Sequence, residues 1–339
     1  MIQKTIISLF AAVMTTATVN AQENKWLQDV KLSGYGMIQY QMQDKVTDEQ
    51  NFFNLRLARV SLDGRAHEDF AYKVQMQING NTSEGSSAIR LVDFFTEWQR
   101  LDFLRVKVGQ FKRPFTFENP MNPITQGFMS YSQNVTKLSG FSDRTGEHAS
   151  NGRDIGVQVQ GDLLKLCGHH WFHYQVGVFN GEGINVRDQD NRKDIIGGVW
   201  LMPVDGLRLG AFGWKGNRVG VGDKTRYALS LEFSKWDFTL RSEYIHSKGM
   251  GADAKAGDRA DGLYALTIVP IIQNKLHLKA RYDVYRDCKE WSSAKIYYEG
   301  GLDFLLTKNL QLNVEYARVN ERTGKHSYNL IDAEVDVRF

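Results

Sequence analysis

The chain ends in LIDAEVDVRF, Leu330 to Phe339. Ile331, Ala333, Val335, Val337 and Phe339 are apolar, and Asp332, Glu334, Asp336 and Arg338 between them are all charged. A β-strand sends successive side chains to opposite faces. One face of this segment is therefore apolar and the other ionic. Two environments satisfy such a strand. In a water-soluble sheet the apolar face packs on a core and the ionic face meets water. In a transmembrane barrel the apolar face meets lipid and the ionic face a wet lumen. The rest of the chain decides between them.

The first residues, MIQKTIISLFAAVMTTATVNA, place Lys4 before an apolar run, Ile6 to Val13, and end on the small residues Val19-Asn20-Ala21. This reads as a secretory signal peptide over 1–21, with cleavage before Gln22. Residues 22–339 are then one exported domain. No later segment is apolar for the length a membrane helix needs. The mean hydropathy is that of a water-soluble chain. An alternating barrel hides its membrane band in this way, because each apolar residue is averaged with a polar neighbour. Without Lys4, 42 − 1 = 41 basic residues stand against 39 acidic ones, which argues against a nucleic-acid surface. The cysteines, Cys167 and Cys288, are too few for a disulfide framework and fall at opposite ends of the expected topology, so they are expected to stay unpaired.

Alternation predicts sixteen strands, near 28–43, 51–65, 69–80, 88–101, 103–112, 152–163, 169–180, 194–204, 206–215, 223–235, 236–249, 259–272, 275–288, 294–306, 309–321 and 328–339. The connections take turns between short, such as 66–68, 102 and 273–274, and long, such as 44–50, 81–87, 181–193 and 216–222. Tight turns at one end and longer loops at the other mark an outer-membrane barrel, and a soluble sandwich has no reason to sort its loops by parity. Trp98, Trp236 and Phe339 stand at strand ends, where an aromatic girdle lies. The fold class is thus an all-β, antiparallel transmembrane barrel of sixteen strands in the outer membrane of a Gram-negative bacterium. Between Phe52 and Asp63 the apolar phase shifts, and a β-bulge near Arg59 would reconcile it. Strands 194–204 and 259–272 are apolar on both parities, so each faces a neighbouring subunit or a packed loop unless its phase is misread.

Residues 113–151 form a connection far beyond ordinary length. Phe115, Phe117, Phe128, Tyr131 and Phe141 make it too aromatic for disorder. A sixteen-strand barrel has a lumen too wide for its own side chains to fill. This third long loop is therefore expected to fold inward and narrow it, with Lys112, Arg113, Lys137, Arg144 and Arg153 as the cations positioned at the constriction. A lid on the barrel rim is the alternative.

The runs FFNLRLARVSLDGRAHEDFAYKVQMQ (52–77), VKVGQFKRPFTFEN (106–119), GRDIGVQVQGDL (152–163) and YQVGVFNGEG (174–183) resemble the phosphate-selective porin O/P family, in the order that family shows. The terminal aromatic, Phe339, also resembles the assembly signal of outer-membrane barrels. The resemblance implies a homotrimer, an inward third loop and, in phosphate-specific members, a ladder of arginines and lysines that passes phosphate along. Arg56 and Arg59 match an Arg-rich family strand, and Lys112 and Arg113 match the basic pair before the long loop. The implied function is passive diffusion of small anions of the phosphate type.

Parity adds Lys73, Arg105, Lys107, Arg208, Arg226, Arg241, Lys279, Arg281 and Arg338 to the candidate lumen cations. It also puts Asp93, Glu97, Glu232, Glu243, Glu299, Asp303, Glu315, Asp332, Glu334 and Asp336 inside. Selectivity follows the charges that reach the narrowest place, so a mixed wall keeps a general, weakly selective porin open as a second reading. Neither a cofactor nor a metal is expected: His169 and His173 share a strand face, but a metal site needs further converging ligands. Asp143, Glu147 and His148 could do acid–base work, yet nothing places a nucleophile beside them. A barrel enzyme or adhesin stands as the reading from another class. The expected partners are small anionic solutes and outer-membrane lipid.

Overall fold

The computed structural model describes residues 28–79, 89–141, 151–166, 168–218, 222–249 and 258–339. The signal-peptide segment, Arg144, Cys167 and the trio Asp143, Glu147 and His148 lie outside them. Sixteen strands form one closed antiparallel barrel in sequence order. They are β1 Gln28–Lys45, β2 Asp48–His67, β3 Phe70–Gln77, β4 Arg90–Leu101, β5 Leu104–Lys112, β6 Arg153–Leu166, β7 His169–Phe179 and β8 Asp194–Leu201, then β9 Leu207–Arg218, β10 Gly222–Lys235, β11 Phe238–Lys248, β12 Arg259–Ile272, β13 Leu276–Arg286, β14 Ala294–Thr307, β15 Leu310–Glu321 and β16 His326–Arg338.

The quoted C-terminal segment closes the ring. Tyr35 pairs with Arg338 and Gln43 with Leu330 across the β1–β16 seam. The backbone of Phe339 extends the seam by exchanging hydrogen bonds with Gly34, at 2.9 and 3.0 Å. Closure leaves no sheet edge, which hydrocarbon demands because it cannot hydrogen-bond an unpaired N–H or C=O. The exposure pattern is inside-out. Glu334 is 1% exposed and Asp336 2%, whereas Ile331 and Val337 are each 40% exposed. The ionic face therefore turns inward and the apolar face outward, the reverse of a water-soluble sheet. The same inversion holds on β10, where Arg226, Ser230 and Glu232 are buried while Tyr227, Leu229 and Leu231 are exposed.

Several boundaries depart from the sequence reading. Two connections expected to be long are short, because their strands continue past the membrane band. β1 reaches Lys45 and β2 starts at Asp48, leaving 46–47, and β9 and β10 leave only 219–221. The β2 bulge falls at Arg56 rather than near Arg59: Met37 pairs with Leu57 and Ile38 with Leu55. The extra residue lets Arg56 and Leu57, although adjacent, both line the lumen. Between β10 and β11 the turn is Trp236-Asp237, both at positive φ (54° and 62°). That is the backbone of a primed two-residue hairpin turn, usually taken by Gly or Asn, so the sequence carries no turn signal there.

Leu229 lies mid-strand on the outward face and is 57% exposed. Leu229→Arg is expected to cost roughly 2–4 kcal/mol of folding stability in a bilayer, measured by urea titration of folding into lipid vesicles. A change within error would place that face in water.

Candidate functional site: the lumen and its long loop

The connection after β5 begins with an ion pair. Arg113 is fully buried, its Nη2 is 2.7 Å from Asp154 Oδ2, and Nη1 donates to the Gly140 carbonyl. Asp154 is the second residue of β6, so this pair ties the start of the loop to its return. Past Arg113 the described residues of the segment have little secondary structure of their own beyond one short helix, α1, Gln133–Leu138. Its backbone polar groups still need partners, and inward side chains of the wall supply them. Glu243 Oε1 accepts from Phe117 N (2.7 Å) and Glu118 N (3.0 Å). Glu315 Oε1 accepts from Met129 N (2.8 Å), and Asp283 Oδ2 from Gln133 N (2.7 Å). Cations serve the carbonyls: Arg241 donates to Gln126 O, Lys279 to Gly127 O, Arg281 to Ser130 O and Arg338 to Ile124 O, at 2.8–3.2 Å.

Apolar packing completes the attachment. Phe115 sits edge-on to Phe212 and Trp214, and Phe117 to Trp200 and Phe212. Ile196, Tyr264 and Leu266 belong to the same cluster. This is why β8 and β12 are apolar on both parities: the outward residues stay exposed, and the inward ones pack on the loop. Gly262 makes room for α1, since a Cβ there would fall 2.5 Å from Asn134 Cβ.

The loop leaves a cavity of about 920 Å³ between itself and the strands of the β1–β16 seam side. Arg56, Arg59, Lys112 and Arg153 line it, as do Glu299, Glu315 and Asp332. Most of the cations singled out from sequence are already paired. Lys73 meets Asp63, Lys107 meets Glu97, Arg241 meets Glu232 and Arg281 meets Glu299, each directly across a strand pair. Arg105 pairs with Asp162, Arg56 with Glu334, and Lys279 with both Asp303 and Glu315. Arg153, at the end of the loop, holds Asp93 through two bonds of 2.6 and 3.1 Å. Arg113 faces its ion pair and Trp214, not the cavity. Its placement beside Lys112 comes from strand alternation, which sends adjacent residues to opposite sides.

Arg59, Lys112 and the exposed Lys137, all lining the cavity, differ from the others. Among the described residues, none of the three has a carboxylate within ion-pair distance. Arg59 donates to Tyr35 OH (3.1 Å) and Gln77 Oε1 (3.3 Å), and its buried Nε has no acceptor. Lys112 spends its three protons on Asn119 O, Met121 O and Tyr131 OH, at 2.7, 2.7 and 2.8 Å. It clips the loop at the wall of the cavity. Tyr131 passes its own proton to Met121 O at 2.6 Å, and burial raises its phenol well above the ordinary value, so it stays a donor. The sequence reading placed the wall carboxylates inward but missed that they hold the loop, since nothing in the pattern marks an inward acid as an acceptor for backbone N–H.

The histidines do not converge. His169 Nε2 contacts Met202 O, and His173 Nδ1 contacts Asp162 while its ring stacks on Trp200. Glu182, Asp188 and Asp190 bring carboxylate oxygens within 4.8 Å of one another, as a cation would need, but none of them lines the cavity.

A closed, inside-out barrel with a polar lumen defines a membrane channel. The model of the phosphate-selective porin O and P family matches residues 20–192, and the chain belongs to that family as an outer-membrane porin. Comparison with curated proteins finds no significant match. Solved structures share the fold at low identity. The anion-selective porin of Comamonas acidovorans superposes with a TM-score of 0.70 at 14% identity, over 92% of this chain and 100% of its own. OmpF of Salmonella typhi, in complex with daunomycin, gives 0.69 at 11%, over 92% and 98%. The trimer form of OmpT from Vibrio cholerae gives 0.62 at 11%, over 91% and 99%.

Removing Arg113 strands Asp154 as a buried charge. Arg113→Ala is expected to destabilise the protein by roughly 3–5 kcal/mol, measured by urea unfolding. A loss under about 1 kcal/mol, the range of an exposed pair, would show that the pair is not buried from water.

Proposed function

We propose that this porin passes small solutes by diffusion through the space beside the 113–151 loop, with the loop as its constriction and a preference for anions. One observation carries the reading. Arg59, Lys112 and Arg153 act on one another through space on the cavity wall, with Asp93 and, beside Lys112, Glu118 as the nearby acids. Three positive charges against two negative leave that part of the wall cationic. A small anion meets there a guanidinium and an ammonium whose described hydrogen bonds all go to neutral partners. The family suggests phosphate as the anion. The ion pairs along the rest of the wall favour the second reading, a general porin with weak selectivity, since paired charges contribute little field.

The remaining expectations join this proposal. Residues 1–21 would be removed on export. Assembly as a homotrimer is supported by the trimer form of OmpT. Exposed apolar residues such as Leu55, Ile78 and Phe94 on β2 to β4 offer an outward face for it. Outer-membrane lipid would surround the rest of the barrel, and no step calls on a cofactor.

Reversal potentials in a planar bilayer under a potassium chloride gradient test the preference. Wild type is expected to reverse on the chloride side. Arg59→Gln should lower the chloride-to-potassium permeability ratio about threefold, the effect of roughly 0.7 kcal/mol for one charge at several ångströms in water. An unchanged ratio would remove Arg59 from the selective region. Gly262→Leu, whose side chain cannot coexist with Asn134 in place, should raise conductance by displacing α1. Unaltered conductance in a folded Gly262→Leu barrel would mean that the loop does not limit flow.

A further inference from the structure

The cavity has a second pole. Its carboxylates are mostly neutralised: Glu299 by Arg281, Glu315 by Lys279 and Glu321 by Lys45 and Lys295. Asp283 is capped by the backbone and side-chain nitrogens of Gln133. Asp332 is different. It lines the cavity and accepts from Gln39 Nε2 (3.0 Å) and Gln41 Nε2 (2.9 Å), both on Oδ1. Among the described residues no cation lies within ion-pair distance of it. Two neutral amides fix its geometry, and Arg56, which is paired with Glu334, reaches its charge only through space. Among the described residues, this chamber thus contains cations with no carboxylate in ion-pair range, Arg59, Lys112 and Lys137, and carboxylates with no cation in that range, of which Asp283 is capped by Gln133, Asp287 is exposed and Asp332 is buried. An isolated positive wall would serve any small anion. A wall of each sign best serves a solute that carries both signs, because each pole then gains the partner the protein withholds.

We infer that the cavity is a two-pole site for small phosphate esters bearing a primary ammonium group. The phosphate faces Arg59 and Lys112, and the ammonium faces Asp332. The inference rests on the anion-preferring reading and adds the cationic half of the solute. Charge attraction across the lumen is screened within about 10 Å at 0.1 M salt, so the site is best read at low ionic strength.

The test compares block of chloride current, in bilayers at low salt, by aminoalkyl phosphates of two to four carbons and by the amine-free alkyl phosphates of equal length. At least one aminoalkyl phosphate is expected to halve the current at about a fivefold lower concentration than its counterpart. Asp332→Asn, which keeps both amide contacts possible, should bring that advantage below about twofold and leave block by the alkyl phosphates unchanged. Arg59→Gln should weaken both. Equal block by the two series in wild type, or an advantage that survives Asp332→Asn, overturns the inference. So does an absence of block by either series with current that still prefers chloride, which leaves the anion reading standing. A cation-preferring wild-type current overturns both.

Discussion

Every backbone polar group at membrane depth must find its partner within the protein. The seam between β1 and β16, extended by Gly34 and Phe339, meets that constraint by removing the sheet edges. The other features follow from closure. A ring of sixteen strands is wider than its side chains can span, so its inner face stays wet and ionic. Lipid outside then forces the apolar half of each strand outward. The alternation in LIDAEVDVRF is the trace of these two solvents on one segment.

An ionic inner wall brings its own demand, since buried charges need compensation. Most are matched across neighbouring strands, as Arg241 with Glu232 and Arg281 with Glu299. Others serve the loop. Glu243, Glu315 and Asp283 take its N–H groups, and Arg241, Lys279, Arg281 and Arg338 give to its carbonyls. A segment without a sheet is thereby held by the sheet around it. Its aromatics bury against β8, β9 and β12, and the open space lies toward the seam. Among the described residues, Arg59, Lys112 and Asp332 line the cavity with no opposite charge in ion-pair range.

Strand count, antiparallel order and the inward assignment of the charged parity were legible because period-two patterning is imposed by two solvents at once. The details that escaped depend on terms the pattern does not contain. Turn Trp236-Asp237 is set by backbone conformation that neither residue advertises. The short 46–47 connection depends on how far β1 and β2 pair beyond the membrane, where no alternation is enforced. The bulge was visible as a phase shift, but its position, Arg56, is fixed by register with Met37 and Ile38 on the neighbouring strand. The twofold apolarity of β8 and β12 was visible and its cause open, because a loop and a subunit present the same chemistry. Arg113 was misplaced for a related reason: its charge suggested the lumen, while its partner Asp154 is far along the chain.

The central claim is that the loop covers one part of the inner wall and leaves the channel beside the other. Thiol accessibility tests it directly. In a background lacking Cys167 and Cys288, cysteine is placed at Gln41, which lines the cavity, or at Ala228, which lies in the cluster behind the loop. Single-channel current is then followed as a bulky charged methanethiosulfonate is added. The account predicts a stepwise fall in conductance for Gln41→Cys and none for Ala228→Cys. A block at Ala228 with none at Gln41 would put the channel on the other side of the loop and contradict it.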